Sequence, residues 1–342
     1  MSGVLAVRLD SDGDVLLTGP AIRALGRLGE VDLLVSPGGL QAGSLLPGVR
    51  SVWTFDPPWS GLSPAPVDPV AVQALVDRLR AAQHARAVVF TSFHQSPLPA
   101  ALVLRLAGVP FVVATSEDYP GSLLDVRHPR PQGLHEVVAA LRLAESAGGG
   151  LRPGDDGRLA VRRPLPEVRS LVPPGPYVVV HPSASVPARA PSPAHARQIV
   201  RDLCDAGWEV VVTGGPTDTR LTAGVAQSPA AVDLGGRTSL AELAGVLAGA
   251  AAVVVGNTGP AHLAAAVGTP VVSLFSPVVP ADRWAPFGVP HVVLGDQGAA
   301  CADTRARLCP LVGHPCLGSV PTEAVVEAVD RLAGRVRREA VV

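Results

Sequence analysis

The chain contains no lysine: all 28 of its basic residues are arginine. Any fixed cation it offers to a ligand is therefore a guanidinium, standing where other sequences use an ammonium. The formal net charge is only -1, and no basic run is longer than a pair such as Arg337-Arg338. That argues against nucleic acid as the main partner, which would call for a basic face. No apolar run approaches the roughly 18–20 residues that a membrane span requires. Also missing are a G-x-G-x-x-G after the first strand, a P-loop, and a G-x-S-x-G elbow, which argues against the commonest dehydrogenase, kinase and hydrolase sites. The apolar start Met1–Val7 runs into Arg8-Leu9-Asp10 without a cleavage site, so it reads as a first strand and not a leader. Four cysteines without a secretory signal suggest a reduced, cytoplasmic protein.

What is present points to a globular α/β chain. Hydrophobic residues make up 47% of 342 positions and charged ones 17%, enough for two domains with full cores. Short β-branched runs alternate with helical spacing, the pattern of parallel sheets covered by helices. Composition shifts to Gly, Pro and Arg between 148 and 176, a domain boundary. The expected organisation is a domain over 1–160, a second over 175–320, and a helix and tail over 321–342. The segment Pro280–Pro286 reads as irregular.

One stretch organises the rest. Val253–Val255 is a buried strand, Gly256-Asn257-Thr258-Gly259 a tight turn, Pro260 the first turn of a small-residue helix, and Val271–Phe275 the next strand. A helix opening at the end of a parallel strand presents free N–H groups and partial positive charge, which favour phosphate. Asn257 is the sole asparagine of the chain. His262 falls in the helix's first turns, and both a ligand contact and a satisfied structural histidine fit that place. After the strand Tyr177–His181 come two hydroxyls, Ser183 and Ser185, and one cation, Arg189, a set suited to a diphosphate. Gly214-Gly215 ends the strand Trp208–Thr213. Asp218 beyond it suits ribose hydroxyls, or simply a helix cap.

Near the N-terminus, Asp10-Ser11-Asp12-Gly13-Asp14 follows strand one. Asp14 reads either as an acid favouring a helix start or as a carboxylate that takes a proton from a hydroxyl. The acidic cluster fails as an EF-hand, because Gly13 is at loop position four and Ala21 at twelve. An Asp-x-Asp pair could also hold Mg²⁺ with a sugar nucleotide. Loops at the carboxyl ends of later strands carry His94, Glu117, Asp118 and Tyr119, with Arg127 and His128 nearby. These are candidates for a second substrate. Cys301, Cys309, His314 and Cys316 have a zinc-like count without C-x2-C spacing, so metal, redox and ordinary buried-thiol readings all stay open.

These residues resemble glycosyltransferase family 9, the ADP-heptose transferases of lipopolysaccharide core synthesis. The resemblance rests on Gly13-Asp14-Val15-Leu16-Leu17-Thr18-Gly19-Pro20, on Gly214-Gly215-Pro216, on Asn257-Thr258-Gly259-Pro260-Ala261-His262, and on the Cys-bearing tail to Cys316-Leu317. It runs over nearly the full length. It implies a GT-B fold, two Rossmann-like domains facing across a cleft, and inverting, metal-independent sugar transfer. It implies Asp14 as base, Asp218 as a ribose acid, and Thr258, Gly259 and His262 in the donor motif. Two departures stand out. Asn257 replaces the family's usual Asp, so the donor sugar is open, and Ala188-Arg189-Ala190-Pro191 lacks the family's Trp-Pro.

The expectation is therefore an inverting glycosyltransferase with no cofactor and a nucleotide-diphospho-sugar co-substrate. The donor is ADP-heptose-like, and the acceptor a glycan or small molecule that draws the enzyme to a membrane periphery if it is lipid-borne. Alternatives are an accessory protein that binds nucleotide sugar without turnover, or a sugar-nucleotide epimerase of the same fold. Oligomeric state is left open.

Overall fold

The computed structural model describes residues 3–130 and 132–335. Arg337-Arg338 and the end of the expected tail lie outside the described residues, as do Met1 and Ser2. The chain divides into two units, Met1–Arg162 and Arg163–Val342.

In the first unit six strands form one parallel sheet: β1 (Val4–Arg8), β2 (Val31–Val35), β3 (Val49–Thr54), β4 (Arg86–Val89), β5 (Val112–Thr115) and β6 (Val126–His128), ordered β3-β2-β1-β4-β5-β6. Val4, Leu5, Ala6 and Val7 of β1 are all buried, as a central strand covered on both faces requires. Arg8 closes that strand and is buried as well. The chain leaves β1 toward β2 and β3, then crosses back to place β4 on the other side. The switch point of this sheet thus lies between the carboxyl ends of β1 and β4, where ligands of doubly wound sheets sit.

The second unit repeats the plan with β7 (Tyr177–His181), β8 (Glu209–Val212), β9 (Ala231–Asp233), β10 (Ala252–Gly256), β11 (Val271–Leu274) and β12 (His291–Leu294), ordered β12-β11-β10-β7-β8-β9 and parallel throughout. Its switch point falls between β7 and β10. The terminal helix Thr322–Leu332 buries Val325, Val326 and Val329 against this unit's core. The indole N–H of Trp208, just before β8, donates to Asp330 Oδ1 at 2.9 Å and ties that helix down.

Three strands escape the sequence reading: β6, β9 and β12. Each is an edge strand of only three or four half-buried or exposed residues, so even Val292-Val293-Leu294 in β12 gives too short a run to stand out. The segment expected to be irregular at Pro280–Pro286 instead contains one helical turn, Ala281–Trp284. Pro280 leads into that turn without an N–H of its own to satisfy, and Pro286 follows it closely, so the turn cannot lengthen.

Candidate functional site

At the switch point of the first sheet, a buried guanidinium organises the polar groups. Arg8 Nη2 donates to Asp14 Oδ1 at 3.0 Å and to Ser92 Oγ at 2.9 Å, while Nε lies 2.9 Å from Asp10 Oδ2. Burial works against the Arg8 charge. The carboxylates of Asp10, Asp14 and Glu136 more than offset it and hold the guanidinium more firmly protonated than usual. Asp14 sits in the first turn of the helix Asp12–Leu25. Ser11 Oγ donates to its Oδ2 at 3.1 Å, and about a quarter of its side chain (23%) is open to solvent. So Asp14 is fixed on one side and accessible on the other.

The neighbouring acids are committed elsewhere. Asp10 Oδ1 accepts from Gln95 Nε2 at 2.6 Å; burial pushes this carboxyl up, with Arg8 pulling it down. Asp12 Oδ1 accepts the Ala42 N–H at 2.9 Å, and burial raises it too. The Asp-x-Asp pair is thus taken up by the protein's own donors. The loop after β4 joins the same network: the Ser92 N–H donates to Gln95 Oε1 at 2.9 Å, and Gln95 Nε2 also reaches Ser60 Oγ at 3.3 Å.

The other first-unit candidates lie on the loops after β4 and β5, except Arg127 and His128, which lie on the edge strand β6. His94 is exposed and packs edge-on against Phe93. Glu117 is exposed, 3.4 Å from Arg130 Nε. Asp118 accepts from Ser96 Oγ at 3.2 Å, and Tyr119 is 86% exposed. Arg127 spends its guanidinium on the carbonyls of Ser116 and Glu117. His128 pairs with Thr115 Oγ1 at 3.0 Å, and burial beside Arg142 lowers its basicity.

In the second unit the switch point gathers most of the donor candidates. Ser183 Oγ donates to Asp218 Oδ2 at 2.7 Å, and the Gly215 N–H donates to the same oxygen at 2.9 Å. Asp218 Oδ1 has no hydrogen bond to the described residues and remains the open acceptor. His181 stands behind this pair, with Nε2 3.2 Å from Ser183 Oγ and Nδ1 2.9 Å from Thr213 Oγ1. Burial pushes its imidazole down to about 4, against the pull of Asp218. Gly214 has no room for a side chain: a Cβ there would lie 2.7 Å from Thr222 Cγ2.

Arg189 ends a short 3₁₀ turn, Pro187–Arg189, and Ser185 before it is exposed. The Arg189 carbonyl passes so close to β10 that a Cβ on Gly256 would lie 2.3 Å from it. Glycine is what lets the cation-bearing loop cross the end of that strand. The Cys/His tail holds the same turn from outside. The Ala188 N–H donates to the Arg307 carbonyl at 3.0 Å, and His314 Nε2 donates to the Ala188 carbonyl at 3.1 Å. Cys301 and Cys316 are buried, and Cys309 Sγ faces the Leu311 carbonyl at 3.4 Å. Burial pushes the Cys316 thiol up, away from thiolate. Among the described residues no group of three or more His, Cys, Asp or Glu side chains is placed to hold a metal ion. The tail reads as a brace for the turn at Arg189.

The organising turn differs in detail from expectation. Asn257 is buried, and its amide spans the backbone of Ser276: Oδ1 accepts from the Ser276 N–H at 3.3 Å, and Nδ2 donates to the Ser276 carbonyl at 3.4 Å. The Thr258 N–H, expected to face a phosphate, folds back to the Gly256 carbonyl at 2.9 Å. Pro260 has no N–H, and Ala261 N–H bonds to the Thr258 carbonyl at 3.0 Å. That leaves the Gly259 N–H as the donor at the mouth of the helix Gly259–Val267. His262 is buried in that helix.

Sequence reasoning did not single out Arg8, Ser92, Gln95, His181 or Thr213. Arg8 had a signal: an arginine closing an all-apolar buried strand needs carboxylate partners, and three aspartates follow within six residues.

Comparison with known proteins gives these groups a family. The model of "Glycosyltransferase family 9 (heptosyltransferase)" matches residues 72–313. Lipopolysaccharide heptosyltransferase 1 of Pseudomonas aeruginosa is 28% identical over 331 residues, covering 90% of this chain and 87% of that protein. Among solved structures, Escherichia coli ADP-heptose lipopolysaccharide heptosyltransferase II superposes with a TM-score of 0.76 at 20% identity, covering 98% of this chain and 99% of that one. E. coli heptosyltransferase WaaC with ADP-2-deoxy-2-fluoro heptose gives 0.71 at 21% identity, covering 96% and 99%. Two doubly wound parallel units with this likeness define a glycosyltransferase of the GT-B fold. The chain belongs to glycosyltransferase family 9. Among the described residues no helix is long and apolar enough to cross a membrane.

Proposed function

We propose that the protein transfers a heptose-like sugar from an ADP-linked donor to an acceptor hydroxyl with inversion, using Asp14 as general base. The observation that carries the reading is the Asp14 carboxylate, held by Arg8 and Ser11 at a sheet's switch point yet open to solvent. Asp14 takes the acceptor's proton as that oxygen forms its bond to the anomeric carbon. The bond from the anomeric carbon to the diphosphate breaks, and ADP leaves with the electron pair. A positioned base contributes roughly 10²–10⁴-fold to such a step.

Charge developing on the leaving diphosphate is met by the Arg189 guanidinium, the Ser185 hydroxyl and the Gly259 N–H, the donors suited to a phosphate at a helix start, while Ser183, whose hydroxyl donates to Asp218, holds that carboxylate beside the donor. Asp218 Oδ1 takes a ribose hydroxyl. Thr258 and His262 shape the sugar end of the pocket. The mechanism has no metal step: Asp10 and Asp12, the acids nearest the base, already accept from Gln95 and Ala42. No cofactor enters beyond the donor. The names of the relatives, heptosyltransferases of lipopolysaccharide, support heptose and an ADP carrier. The reaction so read is cytoplasmic, at a membrane surface only where the acceptor is lipid-borne.

The test is product stereochemistry. Purified protein is incubated with ADP-heptose and candidate acceptors, and the new glycosidic bond is assigned by proton NMR. An anomeric configuration opposite to the donor's is expected. Retention would overturn the single-displacement mechanism. Absence of transfer from any nucleotide sugar would favour a binding protein without turnover.

A further inference from the structure

In the second unit two runs of valine each end in a buried polar side chain. β7 reads Tyr177-Val178-Val179-Val180-His181, and β8 reads Glu209-Val210-Val211-Val212 before Thr213. The strands pair in parallel with Val180 opposite Val212, so His181 and Thr213 stand side by side one step further on. The Thr213 N–H donates to the Val180 carbonyl at 3.0 Å, which carries the pairing to that step. Both side chains are buried. An aliphatic pair would fill this place without the cost of burying polar atoms. The polar pair is explained by where its hydrogen bonds lead.

They lead to Asp218, and in one direction. Ser183 has a single hydroxyl hydrogen, and it goes to Asp218 Oδ2 at 2.7 Å. At its contact with His181 Nε2, 3.2 Å away, Ser183 Oγ is therefore the acceptor, and Nε2 carries the hydrogen. Burial holds the imidazole neutral, with its basicity pushed down to about 4. A neutral ring with its hydrogen on Nε2 has a bare Nδ1, so Thr213 Oγ1 donates to Nδ1 at 2.9 Å. Thr213 thus sets the tautomer and His181 sets the Ser183 rotor. Ser183 and the Gly215 N–H together saturate Asp218 Oδ2. Gly214 packs against the same residue: a Cβ there would lie 2.9 Å from Asp218 Cβ. Asp218 Oδ1 is left with no hydrogen bond to the described residues.

We infer that His181 is a positioning residue, which with Thr213 aims the Ser183 hydroxyl at Asp218 and holds that carboxylate with Oδ1 free to accept from a ribose. It acts through Ser183 and not by contact with the nucleotide. The inference deepens the donor-side reading above, in which Asp218 takes a ribose hydroxyl, and rests on it. Its consequence is selectivity. The diphosphate is read by Arg189, Ser185 and the Gly259 N–H. Loss of His181 should therefore spare that grip and cost only the discrimination between a nucleotide with ribose hydroxyls and one without.

Calorimetry on the full chain compares ADP with 2′,3′-dideoxy-ADP, which lacks both ribose hydroxyls. The parent should bind ADP roughly 10- to 100-fold more tightly, the equivalent of a hydrogen bond to a charged acceptor. His181→Leu should lower that ratio by about threefold or more and leave the Kd of the dideoxy nucleotide within about twofold, which also shows that the variant folds. His181→Gln, whose side-chain amide can donate in place of Nε2–H, should restore the parent's ratio. Thr213→Val releases Nδ1 without touching the ring and should lower the ratio as well, so the test stands if His181→Leu does not fold. Ser183→Ala should act as His181→Leu does, and the double variant should lose no more than either alone, because both break one chain. A ratio unchanged in His181→Leu and Thr213→Val would overturn the inference. So would an equal weakening of both nucleotides, the mark of a merely structural side chain, or independent losses in the double variant. Asp218→Ala tells the two readings apart. If it abolishes the discrimination while His181→Leu keeps it, the positioning role alone fails. A parent that binds both nucleotides equally would remove the ribose reading and the positioning role with it.

Discussion

His181 shows what one buried side chain contributes. Both ring nitrogens are engaged, by Thr213 and Ser183, and the ring is held neutral with its basicity pushed down to about 4. An ordinary histidine titrates near 6.5, so the unfolded chain binds a proton that the folded chain refuses. Stability is therefore fully present above about pH 6.5 and is lost as pH falls from there to about 4. The difference of about 2.5 pH units corresponds to about 3 kcal/mol at most. Urea unfolding followed from pH 7 to pH 4 should show this decline, and His181→Asn should flatten it. A wild-type profile as flat as the variant's would contradict the account. Gly256 makes the complementary case, where the absence of a side chain matters. Gly256→Ala drives a methyl into the Arg189 carbonyl, so it should weaken ADP binding at least tenfold by moving the cation-bearing turn. Calorimetry giving an unchanged Kd would show that the turn is not part of the donor site.

Among elements, the informative ones are the two strand-ending loops joined by Asn257. The amide is used as donor and acceptor at once, bridging the segment after β10 to the segment after β11. Asp at this position, the residue more usual in the family, accepts but does not donate. A carboxylate facing the Ser276 carbonyl leaves a buried acceptor unpaired, so Asn257→Asp should cost about 1–3 kcal/mol in chemical denaturation. Equal or greater stability would mean that the bridge is dispensable. The same elements show what sequence can and cannot reveal. β1, β7 and β10 are legible because a strand buried on both faces must be a continuous apolar run. β6, β9 and β12 are not, because they are only three or four residues long and little buried, too short for their pattern to stand out. The Gly256–Pro260 turn is legible as a site by its place between strand and helix. That Thr258 turns its N–H inward is not, because a hydrogen bond two residues back leaves no mark in composition. The Cys/His tail shows spacing without a metal-ligand cadence, and its use as a brace on Ala188 depends on a contact 126 residues away in sequence.

At the scale of the whole molecule, the proposed reaction divides its parts between the two units. On that reading the first supplies the carboxylate that receives a proton, held by Arg8 at the end of β1, and the second supplies the groups that grip a nucleotide diphosphate at the ends of β7 and β10. Fold class and family were legible from paired motifs in a fixed order. Ser92 and Gln95 were not, because their contacts to Arg8 and Asp10 come from the crossover that brings the ends of β1 and β4 together. Replacement of Asp14 by Asn separates the two contributions, since it removes the proton acceptor and leaves the second unit untouched. ADP at about a hundred times its Kd should still stabilise the variant by about 2.7 kcal/mol, as for the parent. Sugar transfer, followed as ADP release from ADP-heptose in the presence of acceptor, should fall by roughly 10²–10⁴-fold. Transfer at the parent rate with ADP binding intact would contradict the assignment of Asp14 as the base.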